Sequence, residues 1–189
     1  MSQPKILAFG GSLRAASFNQ KAVTLAAEGA RAAGADVTLI CLSDFPLPLF
    51  NEDLEAAEGM PENARKLKEL FLSHDGLLIA SPEYNSAPSA ALKNAIDWVS
   101  RSTSEGEPPL AAFDGKKAAI LAASPGGYGG ARGLAALRPL LENIKVTVIE
   151  PQVTIREAHN VIAEDGSFKD AAIADSVRAL GASLAEALK

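Results

Sequence analysis

The sequence predicts an α/β protein built on a doubly wound parallel sheet, and three observations predict it. Short, nearly continuous apolar runs recur along the chain, each bounded by turn formers. Segments with apolar residues at helical spacing separate them. The alternation of strand and helix runs the whole length, with no internal repeat, low-complexity tract or linker to break it.

The strands follow in order. Residues 5–10 (KILAFG) form the first, and residues 35–42 (ADVTLICL) form a second, rich in β-branched side chains. Residues 76–81 (GLLIAS), 117–123 (KAAILAA) and 145–149 (KVTVI) supply the rest. Between the first two, Ser17 or Asn19 can cap a helix that runs to about Ala33 and stops at Gly34. Pro61 opens another, with Ala64, Leu67, Leu70 and Phe71 on one face. Residues 89–101 place Leu92, Ala95, Ile96 and Val99 on one helical stripe. The segment 130–143 is helical in pattern but holds Pro139, which is expected to kink it or start a new turn. The final helix aligns Ile173, Val177, Leu180, Leu184 and Leu188. Such a series implies right-handed crossovers. At 189 residues the chain suits one domain, 1–189. Two long loop-like stretches, 43–59 and 102–115, carry prolines and acids and are expected to line a site or an interface.

Composition narrows the function classes. Apolar residues make up 48% of the chain and charged residues 22%, with both signs mixed, which argues for a folded core. The formal net charge is −5 and no Lys/Arg cluster stands out, so a nucleic-acid surface is not expected. An anionic ligand would have to be held by local donors. The lone Cys41 can form neither an internal disulfide nor a zinc cluster, which suggests a reducing compartment. Residues 1–5 lack the basic and apolar regions of an export signal, and no apolar run reaches a membrane span of about 20 residues. The expectation is a soluble, cytoplasmic protein with no membrane partner.

In an open parallel sheet, ligands bind beyond the carboxyl ends of the strands. After the first strand comes Gly10-Gly11-Ser12-Leu13-Arg14-Ala15-Ala16-Ser17-Phe18-Asn19. Ser12, Ser17 and Asn19 offer donors, and Arg14 supplies a planar cation. The helix that follows adds unpaired N–H groups and a positive dipole end. A simple capped turn explains Ser17 or Asn19 alone; it does not explain Arg14 and the other donors, which suit a phosphate monoester. The segment lacks the lysine of a P-loop and the glycine spacing of a dinucleotide-binding turn.

After the third strand comes Ser81-Pro82-Glu83-Tyr84-Asn85-Ser86-Ala87-Pro88. Two prolines stiffen it, Tyr84 offers a flat amphipathic surface, and Asn85 with the loop amides can bond polar ring edges. A plain capped turn before the next helix fits these residues equally well. After the fourth strand comes Ser124-Pro125-Gly126-Gly127-Tyr128-Gly129-Gly130-Ala131-Arg132-Gly133, in which six of ten residues are glycine or proline. That density suits backbone that must approach something closely, or a flexible turn. All three segments fall at one edge of the predicted sheet.

On the stretches GSLRAASFN (11–19), SPEYN (81–85), LKNAIDW (92–98) and SPGGYGGARG (124–133), the sequence resembles the NADPH-dependent FMN reductase family. These are flavodoxin-like oxidoreductases that include quinone, azo-dye and chromate reductases. The resemblance implies a three-layer sheet with strand order 2-1-3-4-5. It implies that Ser12, Arg14, Ser17, Phe18 and Asn19 surround the FMN phosphate. It implies that Pro82, Glu83, Tyr84 and Asn85 hold the ribityl chain and isoalloxazine, and that Ser124, Gly126 and Gly127 approach the pyrimidine edge. It further implies NADPH or NADH as donor, a small-molecule acceptor, and a homodimer or homotetramer with FMN near the subunit interface. The run Ser86-Ala87-Pro88-Ser89 departs from the Gly-Ser-x-Pro common in the family, which touches the acceptor side.

The cofactor would carry the redox chemistry, so no dedicated acid or base is needed, and Glu83 is expected to have a structural or hydrogen-bonding role. Two other classes stay open at this point: a flavodoxin-type electron carrier without direct NAD(P)H activity, and a module that has lost its cofactor. Cys41 and Trp98 read as packing residues, His74 as a helix-end histidine, His159 as a loop residue, and Glu105 and Glu107 as solvated loop charges.

Overall fold

The structure, a computed structural model, describes residues 3–189. Strands β1 (Lys5–Gly10) and β2 (Asp36–Cys41) pair in parallel, from Lys5 with Asp36 to Gly10 with Cys41. On its other side β1 pairs with β3 (Gly76–Ala80). A two-residue hairpin follows, made of β4 (Glu83–Tyr84) and β5 (Ala87–Pro88). Strands β6 (Lys117–Ala123) and β7 (Thr147–Ile155) complete the main sheet in the order β2-β1-β3-β6-β7, every pair parallel. With the hairpin set aside, that is the expected order of five strands.

Side chains alternate across this sheet, and each face buries its own core. Ile6, Ala8, Leu78, Ala80, Ala119, Leu121 and Ala123 point to α1 (Phe18–Ala32) and α7 (Ala171–Ala187). Leu7, Phe9, Leu77, Ile79, Ala118, Ile120 and Ala122 point to α3 (Glu62–Leu72), α4 (Ala90–Val99) and α5 (Ala131–Asn143). Helices α1 and α7 pack backbone to backbone. A Cβ on Gly29 would lie 2.0 Å from the Arg178 carbonyl oxygen, and one on Gly181 would lie 1.9 Å from that of Ala26.

Ser17 caps α1, its Oγ accepting the Gln20 N–H; Ser89 caps α4 through the Leu92 N–H in the same way. Helix α5 spans Pro139, the position at which the pattern predicts a kink or a new turn. The last strand is longer than the sequence pattern indicated. It carries a register shift opposite Ala118 and Ile120, and Pro151 is tolerated because β7 is an edge strand.

The two long loops, though largely exposed, are each tied to the body of the protein at defined points. Residues 43–59 contain α2 (Glu52–Glu58), and the Pro48 carbonyl accepts from Trp98 Nε1 at 2.8 Å and Asn94 Nδ2 at 2.9 Å. Trp98 is fully buried against Phe50, in a T-shaped pair at 5.0 Å. Glu107 is not the solvated charge expected. Its carboxylate pairs with the buried Lys68 of α3 and accepts from Thr103 N–H and Oγ. Burial pushes the Glu107 carboxyl up, but those donors and the ammonium outweigh it and hold the pKa below the usual range. His74 is buried, its ring between the Leu70 carbonyl and Thr38 Oγ1. A short helix, α6 (Ala158–Val161), carries His159. No helix among the described residues is long and apolar enough to cross a membrane.

Candidate functional site

The strand ends bring the three segments together. A cleft of about 60 Å3 at the carboxyl edge is lined by Ser12, Arg14, Ser17, Phe18, Asn19, Pro82, Glu83, Tyr84, Ala123, Ser124 and Pro125. A water needs roughly 10–15 Å3 of such space, so the cleft admits a small polar group. Larger grooves run along α1 and α7, away from the strand ends.

The first loop is held from below. Gln20 Oε1 accepts the Gly10 N–H at 2.9 Å, while its Nε2 donates to the Ile40 carbonyl at 3.0 Å. The Gly11 N–H bonds the Ala80 carbonyl at 2.8 Å, and Ser89 Oγ donates to the Gly11 carbonyl. A side chain at Gly11 would press on Leu92 at 3.0 Å and Pro82 at 3.3 Å, so glycine lets the loop lie against the next crossover. Above these ties, Ser12 Oγ accepts the Arg14 N–H at 3.2 Å and Ser17 Oγ accepts the Gln20 N–H at 3.2 Å. Each hydroxyl keeps its own proton to donate. The Phe18 and Asn19 amides open α1 and have no carbonyl within the helix to bond. Arg14 is exposed and, among the described residues, forms no ion pair. The result is a set of donors and one cation gathered at the positive end of α1.

Asn19 has a different place from the other polar residues here. It is 4% exposed, its Nδ2 donates to the Ala123 carbonyl and its Oδ1 accepts the Ala123 N–H, both at 2.9 Å. Its carboxamide braces α1 against the end of β6, and toward the cleft the residue has its backbone N–H, in the first turn of α1.

The second loop is a hairpin whose two central residues, Asn85 and Ser86, have φ of 53° and 64°. Left-handed conformation at both positions is the tight turn that matches strand twist, and asparagine tolerates it. Asn85 lies exposed at the tip, outside the cleft, while Tyr84 is half exposed at its rim. Pro82 is buried in its floor.

Glu83 reaches across to the third loop. Its Oε1 accepts from Arg132 Nε at 2.9 Å and its Oε2 accepts the Gly133 N–H at 2.9 Å. The Gly133 amide first, then the Arg132 guanidinium, hold its carboxyl below the usual range against the opposing effect of burial. An anchored, ionised carboxylate is a brace and not a proton donor at neutral pH. Arg132 in turn lies 4.7 Å over the Tyr128 ring.

The glycines of the third loop divide into two kinds. Gly130, with φ of +88°, could carry a Cβ only 2.5 Å from that of Ala122, and a Cβ on Gly133 would meet Glu83 at 3.0 Å. Those two are required by the chain's own packing. Gly126 and Gly127 are exposed, have ordinary φ, and a side chain at Gly127 would meet nothing within 4 Å. Ser124 Oγ accepts the Gly126 N–H at 3.2 Å and so orders the start of the loop.

Gln20, Ser89 and the Arg132–Glu83 link belong to the site and went unread in the sequence. Only Ser89 left a signal, as a serine three residues before Leu92 on an apolar stripe.

Known proteins share both sequence and architecture with this chain. A family model described as NADPH-dependent FMN reductase matches residues 4–160. An NAD(P)H-dependent FMN reductase of Pseudomonas aeruginosa is 39% identical over 171 residues, 88% of this chain and 85% of that protein. A 2-hydroxy-1,4-benzoquinone reductase of a Burkholderia species is 33% identical over 165 residues, 87% of this chain and 85% of that protein. Among solved structures, the flavoenzyme NAD(P)H:(acceptor) oxidoreductase FerB of Paracoccus denitrificans superposes with a TM-score of 0.81 at 28% identity, over 98% of this chain and 97% of that one. With the strand order, the donor-lined turn after β1 and these likenesses together, the chain belongs to the NADPH-dependent FMN reductase family.

Proposed function

We propose that the protein holds FMN at the carboxyl edge of its sheet and uses it to pass electrons from NAD(P)H to small-molecule acceptors of the quinone class. The observation that carries this reading is the convergence of three separate βα loops on one cleft, where the Ser12 and Ser17 hydroxyls, the Arg14 guanidinium and the first amides of α1 gather. A dianionic phosphate needs such a set; a neutral substrate does not.

The residues present fit the cofactor. Ser12 and Ser17 hydroxyls, the Phe18 and Asn19 amides and the Arg14 guanidinium would hold the phosphate, with Asn19 fixing the distance to β6. Pro82, Tyr84 and the hairpin tip at Asn85 would flank the ribityl chain and ring, and Glu83 would keep that hairpin against the third loop. Ser124, Gly126 and Gly127 would meet the pyrimidine edge; the open space beside Gly127 supports this assignment. When bound there, FMN would supply the redox chemistry between a nicotinamide donor and the acceptor. The chain's own work is to bind, orient and leave one face reachable. No side chain of the cleft is asked to move a proton.

The exposed Leu13, Leu49, Tyr84 and Tyr128 support assembly into a homodimer or homotetramer, and the lone Cys41 suits the cytoplasm. The test is steady-state kinetics of the FMN-loaded protein with NADPH and NADH against a benzoquinone, an azo dye, chromate and free FMN. Quinone reduction without any partner reductase is the expected result. Flavin that stays oxidised under both nucleotides would sink the proposal.

A further inference from the structure

Gln20 stands in the first turn of α1, in the run Ser17-Phe18-Asn19-Gln20 that opens the helix. A serine cap followed three residues on by glutamine is the pattern of a reciprocal helix cap. The serine oxygen takes the N–H of the glutamine, and the glutamine side chain reaches back to the N–H of the serine. Here only the first half is made: Ser17 Oγ accepts the Gln20 N–H at 3.2 Å. The Gln20 carboxamide turns instead into the sheet. Its Oε1 accepts the Gly10 N–H at 2.9 Å and its Nε2 donates to the Ile40 carbonyl at 3.0 Å. Gly10 stands opposite Cys41 at the end of the β1–β2 pair, so one side chain grips both strands where the first loop leaves the sheet. A Cβ on Gly10 would lie 2.8 Å from Gln20 Oε1, so the missing side chain admits this approach. The local spacing announces a cap and gives no sign of the place the carboxamide takes.

Diverting Gln20 frees the Ser17 amide. Among the described residues the Ser17 N–H donates to no protein acceptor, although Ser17 is only 3% exposed and lines the cleft. A buried backbone N–H without a partner costs stability. Beside the Ser12 and Ser17 hydroxyls, at the positive end of α1, an anionic oxygen is the partner that suits it. A closed cap would set the carboxamide oxygen on that same N–H and displace the anion. Glutamine suits the diverted position because it offers one acceptor and one donor. A glutamate there could not donate to the Ile40 carbonyl, and its charge would be drawn to the amides that open the helix.

We propose that Gln20 is a positioning residue for the flavin phosphate: bound to Gly10 and Ile40, it fixes the first loop and leaves the Ser17 N–H to a phosphate oxygen. The proposal rests on the reading of the cleft as the FMN site. A purely structural tie is the competing account, and it would act alike on flavins with and without a phosphate.

The test compares wild type with Gln20→Glu, which restores the cap, and Gln20→Met, which removes both bonds without adding charge. The probes are FMN and riboflavin in fluorescence titrations, with amide hydrogen exchange on the flavin-free proteins. FMN affinity is expected to fall about tenfold or more in both variants, while riboflavin affinity stays within about twofold of wild type. The thermal midpoint of Gln20→Glu is expected to stay within a few degrees of wild type, because a glutamate is favourable at that helical position. The Ser17 amide is expected to exchange rapidly in wild type and about tenfold or more slowly in Gln20→Glu. A Ser17 amide already protected in flavin-free wild type, FMN bound equally well in both variants, or FMN and riboflavin affinity falling together overturns the assignment to Gln20 and leaves the FMN reading standing. A wild type that takes up neither flavin overturns the FMN reading itself and this proposal with it, whatever the exchange rates.

Discussion

The carboxamide of Asn19 and the backbone of Ala123, 104 residues apart, close a pair of hydrogen bonds at 2.9 Å that joins the first loop of the site to the third. Asn19 lies just beyond β1, in α1, and Ala123 ends β6, two strands that are not neighbours in the sheet. One side chain thus sets the spacing between the donors after β1 and the open glycines after β6.

Asn19→Ala removes both bonds and leaves a buried amide and carbonyl unpaired. The expected loss is about 2–3 kcal/mol of unfolding free energy, read by chemical denaturation. Asn19→Asp is the sharper variant. It keeps the shape and the acceptor for the Ala123 N–H, but sets a carboxylate oxygen against the Ala123 carbonyl. It should destabilise at least as much at neutral pH, and recover part of the loss at acid pH where the carboxyl can donate.

Arg14→Ala should behave in the opposite way. The side chain is exposed and unpaired, so stability should move by less than about 0.5 kcal/mol. FMN affinity should fall by roughly 10- to 100-fold, the value of one charge-assisted contact, in a flavin fluorescence titration.

Glu83→Gln tests the brace. The rate of flavin reduction by NADPH in stopped flow should change little, because the carboxylate is committed to Arg132 and Gly133. Stability should drop. The native pKa of Glu83 is lowered, so its contribution is complete above the ordinary carboxylate range and is lost as pH falls through the lowered value. The stability gap between wild type and variant should therefore be widest at neutral pH and close in acid. A gap that widens below about pH 4 would contradict the assignment.

The glycines give a paired comparison. Gly130→Ala adds a methyl where φ is +88° and Ala122 Cβ is 2.5 Å away, so a cost of about 2 kcal/mol or more is expected. Gly126→Ala and Gly127→Ala should leave the thermal midpoint of the flavin-free protein within a few degrees of wild type, and should weaken FMN. Equal affinity in both would remove the pyrimidine-edge assignment.

Glu107→Gln should cost about 3 kcal/mol, because it strips the buried Lys68 ammonium of its counter-charge. Loss of this order, measured by denaturant unfolding, would mark the 102–115 loop as part of the folded unit.

The sheet was legible because its strands are apolar on both faces, a pattern that Leu77-Leu78-Ile79-Ala80 and Ala118-Ala119-Ile120-Leu121 display without interruption. The turn after β1 was legible because its chemistry is local: cap, glycines, hydroxyls and arginine lie within ten residues. What escaped depends on distance. Nothing near Asn19 announces Ala123, and nothing near Glu107 announces Lys68. Arg14, Lys21 and Lys169 look like scattered charges in one dimension and line one concavity in three. At Pro139 proline removes one helical bond, while Leu134, Leu137 and Leu141 on the same helix are fully buried and keep the segment helical.

The central claim is that a flavin phosphate occupies the donor-lined turn between β1 and α1. A crystal structure of the FMN complex tests it most directly. The account predicts phosphate oxygens within hydrogen-bond distance of Ser12 Oγ, Ser17 Oγ and the Phe18 and Asn19 amides, with the ring lying between Tyr84 and Gly126. Flavin bound elsewhere, or a phosphate directed away from that turn, would contradict it.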